Sequence, residues 1–263
     1  MGLSRGQIEC RALSVPGTSP THCDRYLIGH LGKSMFVPES NTAFASQTRV
    51  FGGGQAHLLL VAHGFGATRP DLAAEAATEA LVQQLLESVP WHQGGIREDR
   101  LENTLGKAIL RCHELVQSDL GSGGGGAVFT AAYILWPQLY LLHMGDCRGY
   151  LFRGPRVRQL TTDHVRRVAG GASPDRDILT NALGSDIHTP TLDLVIHELH
   201  VGDKLLLCTS ELGRIIDASA LRRTIGEAHG AGEALESLSR ATQAHAAEAT
   251  GVVAYFKTSG KES

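Results

Sequence analysis

Asp24 and Asp146 are the carboxylates whose neighbours single them out. Asp24 closes the run His22-Cys23-Asp24, which offers a nitrogen, a sulfur and an oxygen donor in succession. A transition-metal site needs three or more donors converging on one point, and this run alone does not supply that convergence. Asp24 equally suits a structural role, accepting hydrogen bonds at the start of a strand. Asp146 follows Gly145, and a Gly-Asp pair is a natural hairpin turn whose carboxylate bonds nearby backbone N–H groups. It reads either as a turn stabiliser or as a metal-binding oxygen. His63 opens the glycine-rich turn His63-Gly64-Phe65-Gly66. Of the 13 histidines, His57, His143, His164, His188, His197, His200 and His245 show no ligand spacing. The glycine run 122–126 lacks the Lys-Ser/Thr that completes a phosphate-cradling loop, so it reads as a turn before a strand.

The elements that would carry these residues alternate in type. Strand-like runs fall at 26–29 and 34–37, and then at 56–62, a stretch apolar enough for a strand buried on both faces. Two helices follow. One runs over 71–89 behind Pro70, and one has its apolar stripe on Leu101, Leu105, Ala108, Cys112, Leu115 and Val116. A β-meander is expected over 128–135, 139–144, 149–152 and 157–160, punctuated by Trp136-Pro137, Gly145-Asp146 and Arg153-Gly154-Pro155. Later strands are expected at 192–199, 204–208 and 252–256, with helices over 212–217 and 233–248. Strand-rich sections interrupted by a helix pair imply an α+β fold with layered sheets.

Composition narrows the function classes. The 263 residues are 42% apolar and 19% charged, with a formal net charge of -3 and a pI near 6.5. There is no basic field to hold a phosphate backbone, so nucleic acid is not the expected partner. Cys10, Cys23, Cys112, Cys147 and Cys208 form no CxxC pair and are odd in number, which points to a reducing compartment. Neither a signal-peptide run nor a membrane span of ~20 apolar residues is present. A cytoplasmic protein without membrane partners is expected.

Several segments, in order, resemble the signature blocks of the type 2C (PPM-type) metal-dependent protein phosphatases. They are Cys23-Asp24-Arg25-Tyr26, Leu60-Val61-Ala62-His63-Gly64, the glycine-led strand 126–134, and Met144-Gly145-Asp146-Cys147-Arg148-Gly149-Tyr150. Further on come Gln159-Leu160-Thr161-Thr162-Asp163-His164, Ile178-Leu179-Thr180-Asn181-Ala182-Leu183-Gly184, and the block Val201 to Ser210. The resemblance covers roughly residues 20–257. It implies one domain over 1–263, a four-layer α/β/β/α sandwich of two antiparallel sheets flanked by helices, with a short flap-like segment at 165–177.

The same resemblance implies hydrolysis of phosphoserine and phosphothreonine with two Mg²⁺ or Mn²⁺ ions, which need hard oxygen ligands. Most of the matching positions lack them. The first acidic pair becomes Cys23-Asp24, the bridging aspartate falls on Val61, and the aspartate of the Ser-Asp-Gly block falls on Ser210, with Glu211 one position late. The last Asp-Asn pair falls on Ala247-Glu248, and the phosphate-gripping arginine on Ser19. Asp146 survives, and His63 matches a histidine of the family's turn. A slip of one residue would bring Glu211 or Glu248 near the site.

The leading expectation is therefore a pseudophosphatase, a non-catalytic signalling or protein-binding module. Its partner would be a Ser/Thr kinase or a phosphoprotein, and no resident cofactor is expected beyond low-affinity Mn²⁺ or Mg²⁺. Two alternatives stand beside it. One is a weak or rewired phosphatase using Asp24, His63, Asp146 and Glu211. The other is a phosphatase-related regulatory switch module.

Overall fold

The computed structural model describes residues 6–18, 21–31, 34–42, 49–50, 56–66, 69–88, 98–121, 125–167, 177–184, 186, 190–243, 245 and 247–258. Its strands are β1 (Gly6–Pro16), β2 (Asp24–Leu31), β3 (Ser34–Ser40), β4 (Arg49–Val50), β5 (Ala56–Gly66), β6 (Gly125–Leu135) and β7 (Gln138–Met144). The second half adds β8 (Arg148–Arg153), β9 (Arg156–Gln159), β10 (Val165–Arg167), β11 (Asp177–Leu179), β12 (Asp193–Glu198), β13 (Lys204–Cys208) and β14 (Glu248–Thr258). The helices are α1 (Pro70–Ser88), α2 (Glu98–Leu120), α3 (Ser210–Ile215), α4 (Ala218–Leu221) and α5 (Ala231–Gln243), with one π-helical turn at Arg222–Gly226.

Two antiparallel sheets stack face to face. The larger runs β12-β7-β6-β5-β2-β3-β4 and the smaller β1-β14-β13-β8-β9, while β10 and β11 form a separate hairpin. Strand alternation assigns each side chain to a layer. Along β5, Leu58, Leu60 and Ala62 pack with Ala73, Ala77 and Leu81 of α1 and Ile109 of α2. Leu59 and Val61 face the other way and meet Leu205, Leu207, Val252 and Ala254 of the smaller sheet. A third layer joins the outer face of that sheet, Leu206, Val253 and Tyr255, to Leu212, Ile225 and Leu238. The four-layer α/β/β/α arrangement expected from the sequence is the one the structure has.

Several boundaries differ from expectation. β1 is a strand where none was expected, and it pairs with β14 along its whole length, Gly6 opposite Thr258 through Pro16 opposite Glu248. The last helix ends at Gln243 rather than 248, so Glu248 opens a strand. The expected flap falls on the β10–β11 hairpin, and its residues 168–176 lie outside the described set.

Candidate functional site

Parity along three strands brings the site together at one rim of the sandwich. On β2, Ile28 faces the smaller sheet, and Asp24 shares that face at the strand's first residue. On β5 the face of Leu59 and Val61 continues to His63, which pairs with Asp24 in the ladder. On β14, Val252 and Ala254 point inward, and the same alternation turns Glu248 to the rim. One ligand-type atom from each of Asp24, His63 and Glu248 lies within 4.8 Å of the others.

Asp24 is 1% exposed, and both of its oxygens are engaged. Oδ1 lies 2.7 Å from His63 Nδ1, and Oδ2 accepts from the Thr209 hydroxyl at 3.0 Å. Thr209 in turn accepts from the Thr250 N–H at 3.1 Å, tying the end of β13 to β14. Glu248 Oε1 accepts the backbone N–H groups of Cys23 and of Asp24, the latter at 2.7 Å, and lies 2.7 Å from His22 Nδ1. The ring of His22 continues the chain, its Nε2 2.8 Å from Ser14 Oγ, which lies 2.8 Å from Thr250 Oγ1.

Asp146 sits in the turn between β7 and β8. Gly145 adopts φ +96°, and a Cβ there would stand 2.1 Å from Val128 Cγ1, so only glycine fits. The turn is pinned from below: His164 donates its N–H to Gly145 O at 2.7 Å, and the Gly145 N–H donates to His164 Nδ1 at 3.1 Å. Since Nδ1 is thereby an acceptor, the ring proton is on Nε2, facing Asp193 Oδ2 at 3.1 Å. Arg214 reaches Asp146 Oδ2 at 3.3 Å and Glu211 Oε2 at 3.6 Å. Arg148 grips Asp163 at 2.6 Å and holds Gly213 O at 2.9 Å, which fixes α3 beside this turn.

Each charge in the site responds to these neighbours. Burial alone would lower the His63 pKa, but its bond to Asp24 and the charges of Asp24, Glu248 and Asp146 carry it above the ordinary value. Burial raises the Asp146 carboxyl despite the opposing pull of Arg214 and His63. For Glu248, burial is outweighed by His22 and the two backbone N–H groups, and its pKa falls. The Cys23 thiol is pushed up to about 11 by burial and the nearby carboxylates, so it stays protonated near neutral pH.

The positions expected from the sequence fall in different places around this rim. Val61 is wholly buried between the sheets, opposite Tyr26 and Thr130, and packs with the inner apolar layer. The β5 residue at the site is His63. Ala247 precedes β14 without entering the cluster, whereas Glu248 enters it. Ser210 begins α3, is 8% exposed and hydrogen-bonds Asp146. Glu211 turns outward to Arg214 and is not part of the trio, and Asp146 stands beside it rather than within it. Ser19 lies outside the described residues. No local motif singles out Thr209 or Arg214 in the sequence, and His22 stands out there only as a neighbour of Cys23. Thr209 meets a residue 185 positions away, and no local pattern announces such a pairing.

No protein-family model matches the chain. The serine/threonine phosphatase stp of Listeria innocua serovar 6a is 25% identical over 191 residues, 65% of this chain and 74% of that one. Among solved structures, the Mycobacterium tuberculosis serine/threonine phosphatase PstP/Ppp superposes with a TM-score of 0.68 at 21% identity, covering 95% of this chain and 99% of that one. A PstP catalytic domain solved with two manganese ions gives 0.65 at 21% identity, covering 95% and 98%. The chain thus has serine/threonine phosphatase homologues and the fold of the PPM phosphatases.

Proposed function

We propose that the chain, one domain over 1–263, is a non-hydrolytic protein-binding module of serine/threonine phosphorylation signalling. Its partner is a phosphoprotein or a Ser/Thr kinase, met in the cytoplasm. The observation that carries this reading is the 2.7 Å contact of His63 with Asp24, whose other oxygen is taken by Thr209. A bridged pair of hard cations needs several free carboxylate oxygens, and lowering the pKa of a bound water depends on holding those cations. Here each carboxylate faces a side chain that is or can become a cation: Asp24 faces His63, Asp146 faces Arg214, and Glu248 faces His22. The β5 residue at the rim is an imidazole, and the residue opening α3 is a hydroxyl. The side chains present do not fit two Mg²⁺ or Mn²⁺ ions. No helix among the described residues is long and apolar enough to cross a bilayer.

The test is turnover of p-nitrophenyl phosphate and of a phosphothreonine peptide in Mn²⁺ and in Mg²⁺. The expected result is a rate equal to that of the Asp24→Ala variant. Manganese-dependent turnover abolished by Asp146→Ala would overturn the reading. It would favour a rewired phosphatase, the reading supported by the names of the relatives and by the gathered trio.

A further inference from the structure

The smaller sheet ends on β9, which pairs with β8 along one side only. An open edge of this kind presents a row of main-chain donors and acceptors to any strand that can lie beside it. Just past β9, the Leu160 N–H donates to Gly149 O at 2.7 Å. Antiparallel pairs alternate between hydrogen-bonded and not, so Arg158 and Arg156 turn their N–H and C=O groups to β8. Val157 and Gln159 turn theirs outward, where these groups meet no partner among the described residues.

The side chains of this edge are basic on both faces. Arg156 and Arg158 stand opposite Arg153 and Leu151, on the face turned to the larger sheet. Both are exposed and form no hydrogen bond or ion pair through their side chains among the described residues. On the other face, where Val157 packs with Phe152 and Ile225, the π-helical turn carries the exposed Arg222. Arg153 is neutralised by Asp203 at 2.7 Å. The positive field still reaches the facing sheet: burial, then the charges of Arg153 and Arg158, hold the His197 pKa below its ordinary value against the pull of Asp203.

These features select the occupant. A second copy laid along β9 would set arginine against arginine, and like charges directly opposite destabilise a strand pair. A nucleic acid would meet the charges but has no peptide groups to match the outward row on Val157 and Gln159. We propose that β9 is a docking edge for an extended acidic segment of a partner protein, which adds a strand to the smaller sheet with Asp or Glu at alternate positions facing Arg156 and Arg158. None of Asp24, His63, Asp146 and Glu248 lies on β9, so the inference holds whether or not the rim hydrolyses phosphate.

The probe is a fluorescein-labelled eight-residue peptide of alternating Glu and Thr, titrated with the full-length protein and followed by fluorescence anisotropy. Saturable binding is expected, weakening as salt rises. The double variant Arg156→Glu, Arg158→Glu should bind it at least about 10-fold more weakly, as cross-strand attraction becomes repulsion. That variant should instead gain binding to the matching peptide of alternating Lys and Thr, which a misfolded protein could not do. N-methylation of alternate residues of the acidic peptide removes the donors a strand needs, and should abolish binding without touching the protein. Affinity that survives N-methylation or the charge reversal, tighter binding of a single-stranded oligouridine, or no binding at all overturns the assignment. Each of these results leaves the reading of the rim as it stands.

Discussion

Two residues on β5, two positions apart, separate a chemical change from a structural one. Val61 is sealed between the sheets, while His63 on the same face stands at the rim against Asp24. Val61→Asp should therefore unfold the sandwich rather than recreate a metal ligand. An unpaired carboxylate at a fully buried position costs on the order of 4 kcal/mol. His63→Asp places the new carboxylate beside Asp24, where two like charges oppose each other until a cation joins them. Combined with Ser210→Asp, it should give a protein whose thermal midpoint rises in Mn²⁺, a response absent from the parent and from Val61→Asp. Melting curves with and without Mn²⁺ check all three. A Mn²⁺-stabilised Val61→Asp protein would show that the β5 register had been misplaced.

At the scale of elements, local pattern identified strands and helices wherever apolar periodicity was strong. The run at 56–62 is β5, and the two helices near 71–89 and 101–116 are α1 and α2 with small shifts at their ends. It failed where pairing decides. Residues 6–16 carry only Ile8, Cys10 and Ala12 toward the inner layer, too weak an alternation to mark β1, which exists because β14 offers it an 11-residue partner. The segment 244–248 reads as helix because alanine and glutamate favour it, yet β14 begins at Glu248 and is flanked by β1 and β13. That boundary decides that Glu248, on the strand, is the residue of the Ala247-Glu248 pair that reaches the candidate site. The β7–β8 turn was legible, and it carries its own test. Gly145→Ala combines a left-handed φ with a Cβ driven into Val128 and should cost about 2–4 kcal/mol. Urea unfolding should show a lower midpoint with an unchanged slope, since only native strain is added.

Taken as a whole, the sandwich buries ionisable groups well away from the rim, and these set its response to pH. Layer order, sheet number and the family resemblance were legible because many sequence blocks in order constrain one topology. The inner polar contacts were not, because each joins strands distant in the chain. His143 is the clearest case: fully buried on β7, it lies 3.0 Å from Thr130 Oγ1 and 3.0 Å from Thr162 O. Burial, aided by the neighbouring His164, lowers its pKa to about 4, and burial beside His30 does the same for His57. The unfolded chain takes up a proton at each position near the ordinary value of 6.5, whereas the folded chain resists until about 4. Between those values the unfolded state binds more protons, so folding stability rises with pH. It is fully present above the unfolded pKa, falls as the pH drops through the window, and levels off below it. For His143 the loss is about 3 kcal/mol by pH 4. His143→Gln keeps a donor for the Thr162 carbonyl without a titrating ring. Its urea stability between pH 7 and pH 4 should fall less steeply than that of the parent by that amount. Parallel profiles for the two proteins would mean that His143 is protonated in the fold and that the acid sensitivity arises elsewhere.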